Sequence, residues 1–199
     1  MAKEIEAKFL NVEIEDVRNR LKKLGANLKT PMRLMKRVMA KTPEMKIQKA
    51  FVRVRDEGDK ITMTYKRNNK ETVDGTYEVE IKIDDFANGI ELLSAIGIPY
   101  ETYQESRRET WMLDNVEIVI DEWPWIKPYI EIEGKNEASV KMIAEKLGFD
   151  WKQAKFGSVM SAYIAEYPVM ERDNILLSDL SEVKFGTMIP KLLIDGITK

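Results

Sequence analysis

A strict two-residue alternation between apolar and polar, mostly ionised, side chains recurs in short stretches and limits what this chain can fold into. In residues 3–9, Ile5, Ala7 and Phe9 alternate with Glu4, Glu6 and Lys8. In 50–55, Val52 and Val54 alternate with Arg53 and Arg55, and in 60–66 Ile61, Met63 and Tyr65 oppose Thr62, Thr64 and Lys66. Residues 77–83 set Tyr77, Val79, Ile81 and Ile83 against Glu78, Glu80 and Lys82; residues 129–133 carry Tyr129, Glu131 and Glu133 on one side. Successive strand side chains point to opposite faces, so this period predicts strands with one apolar and one charged face. Strands of that kind belong to antiparallel sheets, because parallel sheets are buried on both faces.

Between them the period changes. Ile14, Val17, Leu21 and Leu24 recur at helical spacing, with Asn11 as the expected cap and Gly25 as the stop. Residues 84–96 and 136–147 read as helices ended by Gly97 and Gly148, and 158–167 as a short helix before Pro168. Residues 33–40 read as a strand before a turn at Thr42-Pro43, and 100–113 with 116–121 as a hairpin turning at Asp114-Asn115. About eight strands in hairpins, with helices between and after them, predict an α+β fold built on an antiparallel sheet. Eight such strands commonly close into a barrel. We expect a domain over 1–167 and a C-terminal, mostly helical extension over 168–199 packed on it.

Composition removes several chemistries. The 199 residues include no cysteine and no histidine. Disulfides, thiol nucleophiles, imidazole bases and zinc sites of the Cys/His type are excluded. A metal here is held by carboxylates, which favours Mg²⁺ or Mn²⁺. The net charge of −2 gives no global field for nucleic acid. No stretch has the length of a membrane span or the pattern of a signal peptide, and a cytoplasmic protein is expected.

Pooling the polar faces collects Glu4, Glu6, Lys8, Arg53, Arg55, Lys66, Glu78, Glu80, Lys82, Arg108, Glu117, Asp121, Glu131 and Glu133. If the sheet closes with its apolar side inward, these charges are an ordinary solvated surface. If helices cover the apolar side, the charges line a wet cavity. Alternation alone is compatible with both. The second arrangement has a chemical use: Arg and Lys bind phosphate oxygens, and carboxylates hold a divalent ion that bridges them.

Glu4-Ile-Glu6-Ala-Lys8 resembles the Glu-x-Glu-x-Lys signature of the CYTH superfamily, the triphosphate tunnel metalloenzymes. It is followed, in the family's order, by Arg53-Val-Arg55, Lys66, Glu78-Val-Glu80, Arg107-Arg108, Asp121 and Glu131-Ile-Glu133. The resemblance covers residues 3–166 and implies an eight-stranded antiparallel tunnel with a charged lumen and helices outside. It implies Glu4, Glu6, Asp121, Glu131 and Glu133 as metal ligands. Lys8, Arg53, Arg55, Lys66, Arg108 and Lys155 would bind the triphosphate, and Glu78 and Glu80 would form a supporting acidic pair. Arg108 is preferred to Arg107 because it lies three residues before Trp111. Glu4, Glu6 and Lys8 are the implied catalytic group. Lys82 has no place in the family pattern. The implied activity is Mg²⁺- or Mn²⁺-dependent hydrolysis of inorganic, nucleoside or thiamine triphosphate. ATP cyclisation by a class IV type adenylate cyclase and non-catalytic polyphosphate or nucleotide binding remain alternatives. The implied partner is a small triphosphate, with no nucleic acid or membrane; a homodimer stays open.

Overall fold

The computed structural model describes residues 5–68 and 76–196. The elements run β1 (Ile5–Phe9), α1 (Ile14–Lys23), β2 (Asn27–Ala40), α2 (Pro43–Ile47), β3 (Ala50–Asp56), β4 (Ile61–Asn68) and β5 (Thr76–Ile83). Then follow α3 (Phe86–Ala95), β6 (Tyr100–Leu113), β7 (Val116–Glu122), β8 (Tyr129–Gly134), α4 (Glu137–Lys146), α5 (Met160–Glu166), α6 (Val169–Arg172), β9 (Glu182–Val183) and α7 (Lys191–Asp195). The main sheet has the order β1-β8-β7-β6-β2-β3-β4-β5, so its path ends at β1 and β5. Its described ladders are antiparallel; the short β9 adds a parallel pairing to β6. The fold is α+β on an antiparallel sheet, as the alternation predicts. No helix of the described residues is long and apolar enough to cross a membrane.

The chain divides into two compact units. The first takes the residues up to Arg33, Ser106–Ile175 and the stretch from Gly186; the second takes Leu34–Glu105 and Leu176–Phe185. The two 14-residue strands, β2 and β6, each give one part to either unit.

In the first unit, α1 and α4 cover one face of the strands. Val17 and Leu21 of α1 and Val140 and Ile143 of α4 pack with Ala7, Phe9, Trp111, Ile118, Ile120, Ile130 and Ile132. Full burial of an aliphatic or aromatic side chain of this size is worth about 1.5–3 kcal/mol. Asn136 caps α4 by accepting the Ser139 N–H at 2.9 Å. The register then decides the other face. Glu6 stands opposite Glu133 and Lys8 opposite Glu131, while Arg108 stands opposite Asp121. Residues opposite one another share a face, so these charges lie on the side away from α1 and α4.

The second unit repeats the scheme. Leu93 of α3 packs with Val38, Ala40, Val52 and Val54, and Phe86, Ile90, Ile61, Met63 and Ile83 complete the cluster. Gly89 permits the approach: a Cβ there would stand 2.5 Å from Ile83 Cδ1. The opposite face carries Arg53 against Thr64, Arg55 against Thr62 and Lys66 against Glu78.

Several local expectations are corrected. Helix α1 begins at Ile14 with Glu13 at its cap, not at Asn11, which takes φ 57° as Asn readily does. Thr42-Pro43 opens a helix rather than a turn: Thr42 accepts the Met45 N–H and Pro43 occupies the first helical turn. β2 starts at Asn27, earlier than residue 33, because strand pairing overrides its irregular alternation. Asp114 and Asn115 do form the β6–β7 turn, both with positive φ, as a type I′ turn requires. The apolar side of β5 is less covered than expected: Tyr77, Val79 and Ile81 are exposed.

Candidate active site

On the charged face of the first unit, Lys8 is the centre. Its side chain is 2% exposed, and its ammonium lies 2.8 Å from Glu6 Oε1 and 2.7 Å from Glu131 Oε1. It also donates to the Gly157 carbonyl. Burial alone lowers its proton affinity, but the charges and hydrogen bonds of Glu131 and Glu6 outweigh that and raise it. Lys8 is therefore a permanent cation.

Arg108 sits beside this group. Its Nε and Nη2 donate to the two oxygens of Asp121 at 2.8 and 2.6 Å, and Nη2 also reaches Glu131 Oε2 at 3.2 Å. The fork-to-fork geometry fixes the guanidinium plane. Glu131 thus lies between two cations, yet burial and a hydrogen bond with Glu6 raise its proton affinity. On Glu6, burial acts upward, but the hydrogen bonds of Glu131 and Lys8 and the charges of Lys8 and Arg108 lower it overall. Of the two carboxyls, the more buried Glu131 is thus pushed up and the less buried Glu6 held down.

Glu133 is in the same row as Glu6 on β1 and Glu117 on β7, so three carboxylates stand side by side across three strands. Lys29 pairs with Glu117 at 2.8 Å. Lys155 bridges to Lys8 through the backbone, N–H to carbonyl in both directions at 2.8 and 2.9 Å, and its side chain is exposed. Arg107 lies on the other face and approaches Glu122 at 3.6 Å. Glu4 falls outside the described residues. Among the described residues no three carboxylates converge as a ready-made metal cage. Lys8 and Arg108 occupy the spaces between them instead.

The second unit's charged face holds the other expected residues. Lys66 pairs with Glu78 at 3.2 Å, and the Thr64 hydroxyl donates to Glu80 at 2.9 Å. Arg53 Nε is buried without a partner. Burial first, and the nearby Arg55 charge second, pull the Arg53 proton affinity down to about 10, against the pull of Glu78, Glu80 and Glu57. An arginine so destabilised as a cation gains most from an arriving anion. Arg55 pairs with Glu57 at 3.1 Å.

Some partners were not legible as site residues. Glu57 lies in a turn, and Gly157 contributes only a carbonyl, which no side-chain pattern records. Thr64 was visible in the alternation of 60–66 but carries no charge to single it out. The Trp123-Pro-Trp125 segment serves the scaffold: Trp123 meets the Tyr163 ring at 6.3 Å, and Tyr163 donates to the Pro124 carbonyl at 2.8 Å. Tyr163 is thereby a buried strut in the middle of α5, and Tyr167, just after the helix, similarly donates to the Trp125 carbonyl.

Known proteins share the fold. No curated protein matches the chain. Among solved structures, the PH1012 protein from Pyrococcus horikoshii OT3 is similar at a TM-score of 0.61 and 23% identity, covering 80% of this chain and 99% of that one. A candidate adenylate cyclase from Vibrio parahaemolyticus is similar at a TM-score of 0.64 and 12% identity, covering 80% and 96%. HpAC1 from Hippeastrum, described as a candidate adenylyl cyclase with a dominant triphosphatase activity, is similar at 0.51 and 14%, covering 78% and 91%. These likenesses show the fold. The model of the CYTH domain matches residues 2–155. By that match the chain belongs to the CYTH domain family.

Proposed function

We propose that the chain is a divalent-metal-dependent triphosphatase acting on an inorganic, nucleoside or thiamine triphosphate. The observation that carries this reading is the buried Lys8 ammonium held between Glu6 and Glu131 beside the Arg108–Asp121 fork. A face of this composition has little use as an ordinary surface, since burying ions costs several kcal/mol each unless they are compensated. Its use is to meet an anion that brings a cation.

The donor set fits Mg²⁺ or Mn²⁺. Glu6 and Glu131, both in contact with the Lys8 ammonium, offer hard oxygens close together, with Asp121 and Glu133 on the same face. Mg²⁺ is commonly held by one or two carboxylates plus substrate phosphates, so a complete protein cage is not required. Bound there, the ion would neutralise phosphate oxygens and lower the pKa of a water molecule. The residues divide the remaining work. Lys8 and Arg108 hold phosphate oxygens and balance charge moving onto the leaving diphosphate; Arg53, Arg55 and Lys66 bind phosphates on the second unit's face. The oxygen of water bonds to the terminal phosphorus while the bridging P–O bond breaks, and the proton passes to a carboxylate, as no imidazole exists in this chain. The Hippeastrum protein's described triphosphatase activity supports hydrolysis over cyclisation. We place the reaction in the cytoplasm, where nucleoside triphosphates are abundant.

The test is phosphate release from tripolyphosphate, ATP and thiamine triphosphate with Mg²⁺, Mn²⁺ or EDTA, alongside detection of cyclic AMP. Metal-dependent phosphate release without cyclic AMP is expected. Cyclic AMP as the main product from ATP makes the chain a cyclase, and tight binding without turnover makes it a binding module.

A further inference from the structure

The rows of residues that cross β2, β3, β4 and β5 on the second unit's charged face differ in kind. One row reads Met39, Arg53, Thr64 and Glu80. It sets one cation and one carboxylate in the same row, with Glu80 accepting from Thr64. The next row reads Arg37, Arg55, Thr62 and Lys82, three cations and a hydroxyl with no carboxylate among them. Like charges directly opposite one another repel, as Arg37 and Arg55 must. Glu57, from the adjoining turn, meets Arg55 at 3.1 Å. Exposed Lys82 makes no ion pair among the described residues.

Two further details show a site rather than a solvated strip. Thr62 is 1% exposed and its hydroxyl has no hydrogen-bond partner, while Thr64 on the same face has one. Arg37 Nε donates at 2.8 Å to Gln104, itself buried, which fixes the guanidinium on this face. A buried donor without an acceptor, set in a row of cations, is arranged for an anion. Residues two apart on a strand are about 6.8 Å apart, so the row adjoins the Arg53 row within reach of linked phosphates.

We propose that Arg37, Thr62 and Lys82 complete, with Arg55, a further phosphate subsite, and that its ligand is a linear polyphosphate longer than three phosphates. The proposal rests on the triphosphate reading above and extends it: the Arg53 row takes one phosphoryl group, and this row takes another of the same chain. Lys82, which the family pattern leaves unassigned, becomes a chain-length determinant.

The test is equilibrium binding of pyrophosphate, tripolyphosphate and tetrapolyphosphate to the full chain and to Lys82→Gln, Arg37→Gln, Thr62→Val and Lys82→Arg variants. The unaltered chain should bind tetrapolyphosphate more tightly than tripolyphosphate by about tenfold, the size of one charge-assisted hydrogen bond. Lys82→Gln and Arg37→Gln should abolish that step and leave tripolyphosphate within about threefold; Thr62→Val should reduce the step, and Lys82→Arg should retain it. Lys82 is exposed, so its variants fold normally, which thermal unfolding checks. An unaltered chain that binds both polyphosphates equally, or Lys82 and Arg37 variants that keep the full step, overturns the subsite and leaves the triphosphate reading standing. An unaltered chain that binds none of the three ligands overturns both.

Discussion

The Lys8 ammonium and the Glu131 carboxylate face each other at 2.7 Å across the β1–β8 ladder, with 2% and 10% of their side chains exposed. Their backbones are direct partners, so the contact is set by register and not by a chance rotamer. Removing one member of such a pair leaves a buried charge uncompensated. Lys8→Met is therefore expected to cost roughly 3–5 kcal/mol near neutral pH. The cost should shrink on acidification. Without Lys8, the Glu131 pKa rises further above its unfolded value, and a carboxyl raised in this way penalises the fold only while it is ionised. Urea unfolding of the variant and the unaltered chain at pH 8 and pH 5 checks this. An equal loss at both values removes Glu131 as the counter-charge.

Glu6 separates catalysis from stability. Its side chain is 40% exposed, so its ion pair with Lys8 contributes little to folding, within about 1 kcal/mol. As a proposed metal ligand, however, its loss should reduce kcat/KM by about two orders of magnitude, comparable with the loss of an electrostatic catalytic group. Glu6→Ala should thus unfold within a few degrees of the unaltered chain and lose most phosphate release. Full activity in that variant removes Glu6 from the metal assignment.

Arg108→Lys tests geometry at constant charge. The guanidinium reaches both Asp121 oxygens and Glu131 at once, and an ammonium cannot reproduce that fork. We expect the variant to fold, to lose about 1–2 kcal/mol of stability, and to bind tripolyphosphate roughly tenfold more weakly. Calorimetric titration and thermal unfolding read the two effects separately. Unchanged affinity assigns Arg108 to the scaffold alone.

The charged faces were legible because β1, β3, β4 and β8 alternate without interruption, and one correct parity places every side chain on its strand. The sequence 32–37, Met-Arg-Leu-Met-Lys-Arg, interrupts that rhythm, so Arg37 could not be assigned to the row it joins. Periodicity also names two faces without saying how far a helix reaches. α3 covers Ile83 but leaves Tyr77 and Ile81 exposed on the same strand. Lys8 and Arg108 stand between the acids, meeting Glu131 at 2.7 and 3.2 Å, and alternation, which assigns a face and not a side-chain position, does not say which acid each cation meets.

Glu109 is the one carboxylate of β6 turned toward α1, and it supplies a pH prediction independent of catalysis. Arg18 donates to its two oxygens at 3.0 and 2.6 Å, and Trp111 Nε1 donates at 2.6 Å, with the Glu109 side chain 5% exposed. Burial pushes the Glu109 carboxyl upward, but these hydrogen bonds and the Arg18 charge hold it below the ordinary value near 4.5. A carboxyl depressed in the folded state stabilises the fold above its unfolded pKa, and that contribution is lost as pH falls through the folded pKa. Arg18 is pushed upward and stays charged throughout. Glu109→Gln should therefore lower stability by about 1–3 kcal/mol at pH 7, since one hydrogen-bonded charge is replaced by a neutral amide. The deficit should persist down to about pH 5 and narrow below 4.5, as the unaltered chain loses the same contribution. Because Glu109 lies on the helix-covered face, opposite the Lys8 group, phosphate release per folded molecule should be unchanged. A deficit constant from pH 7 to pH 3 would mean that packing, and not the Arg18 charge, is what Glu109 provides.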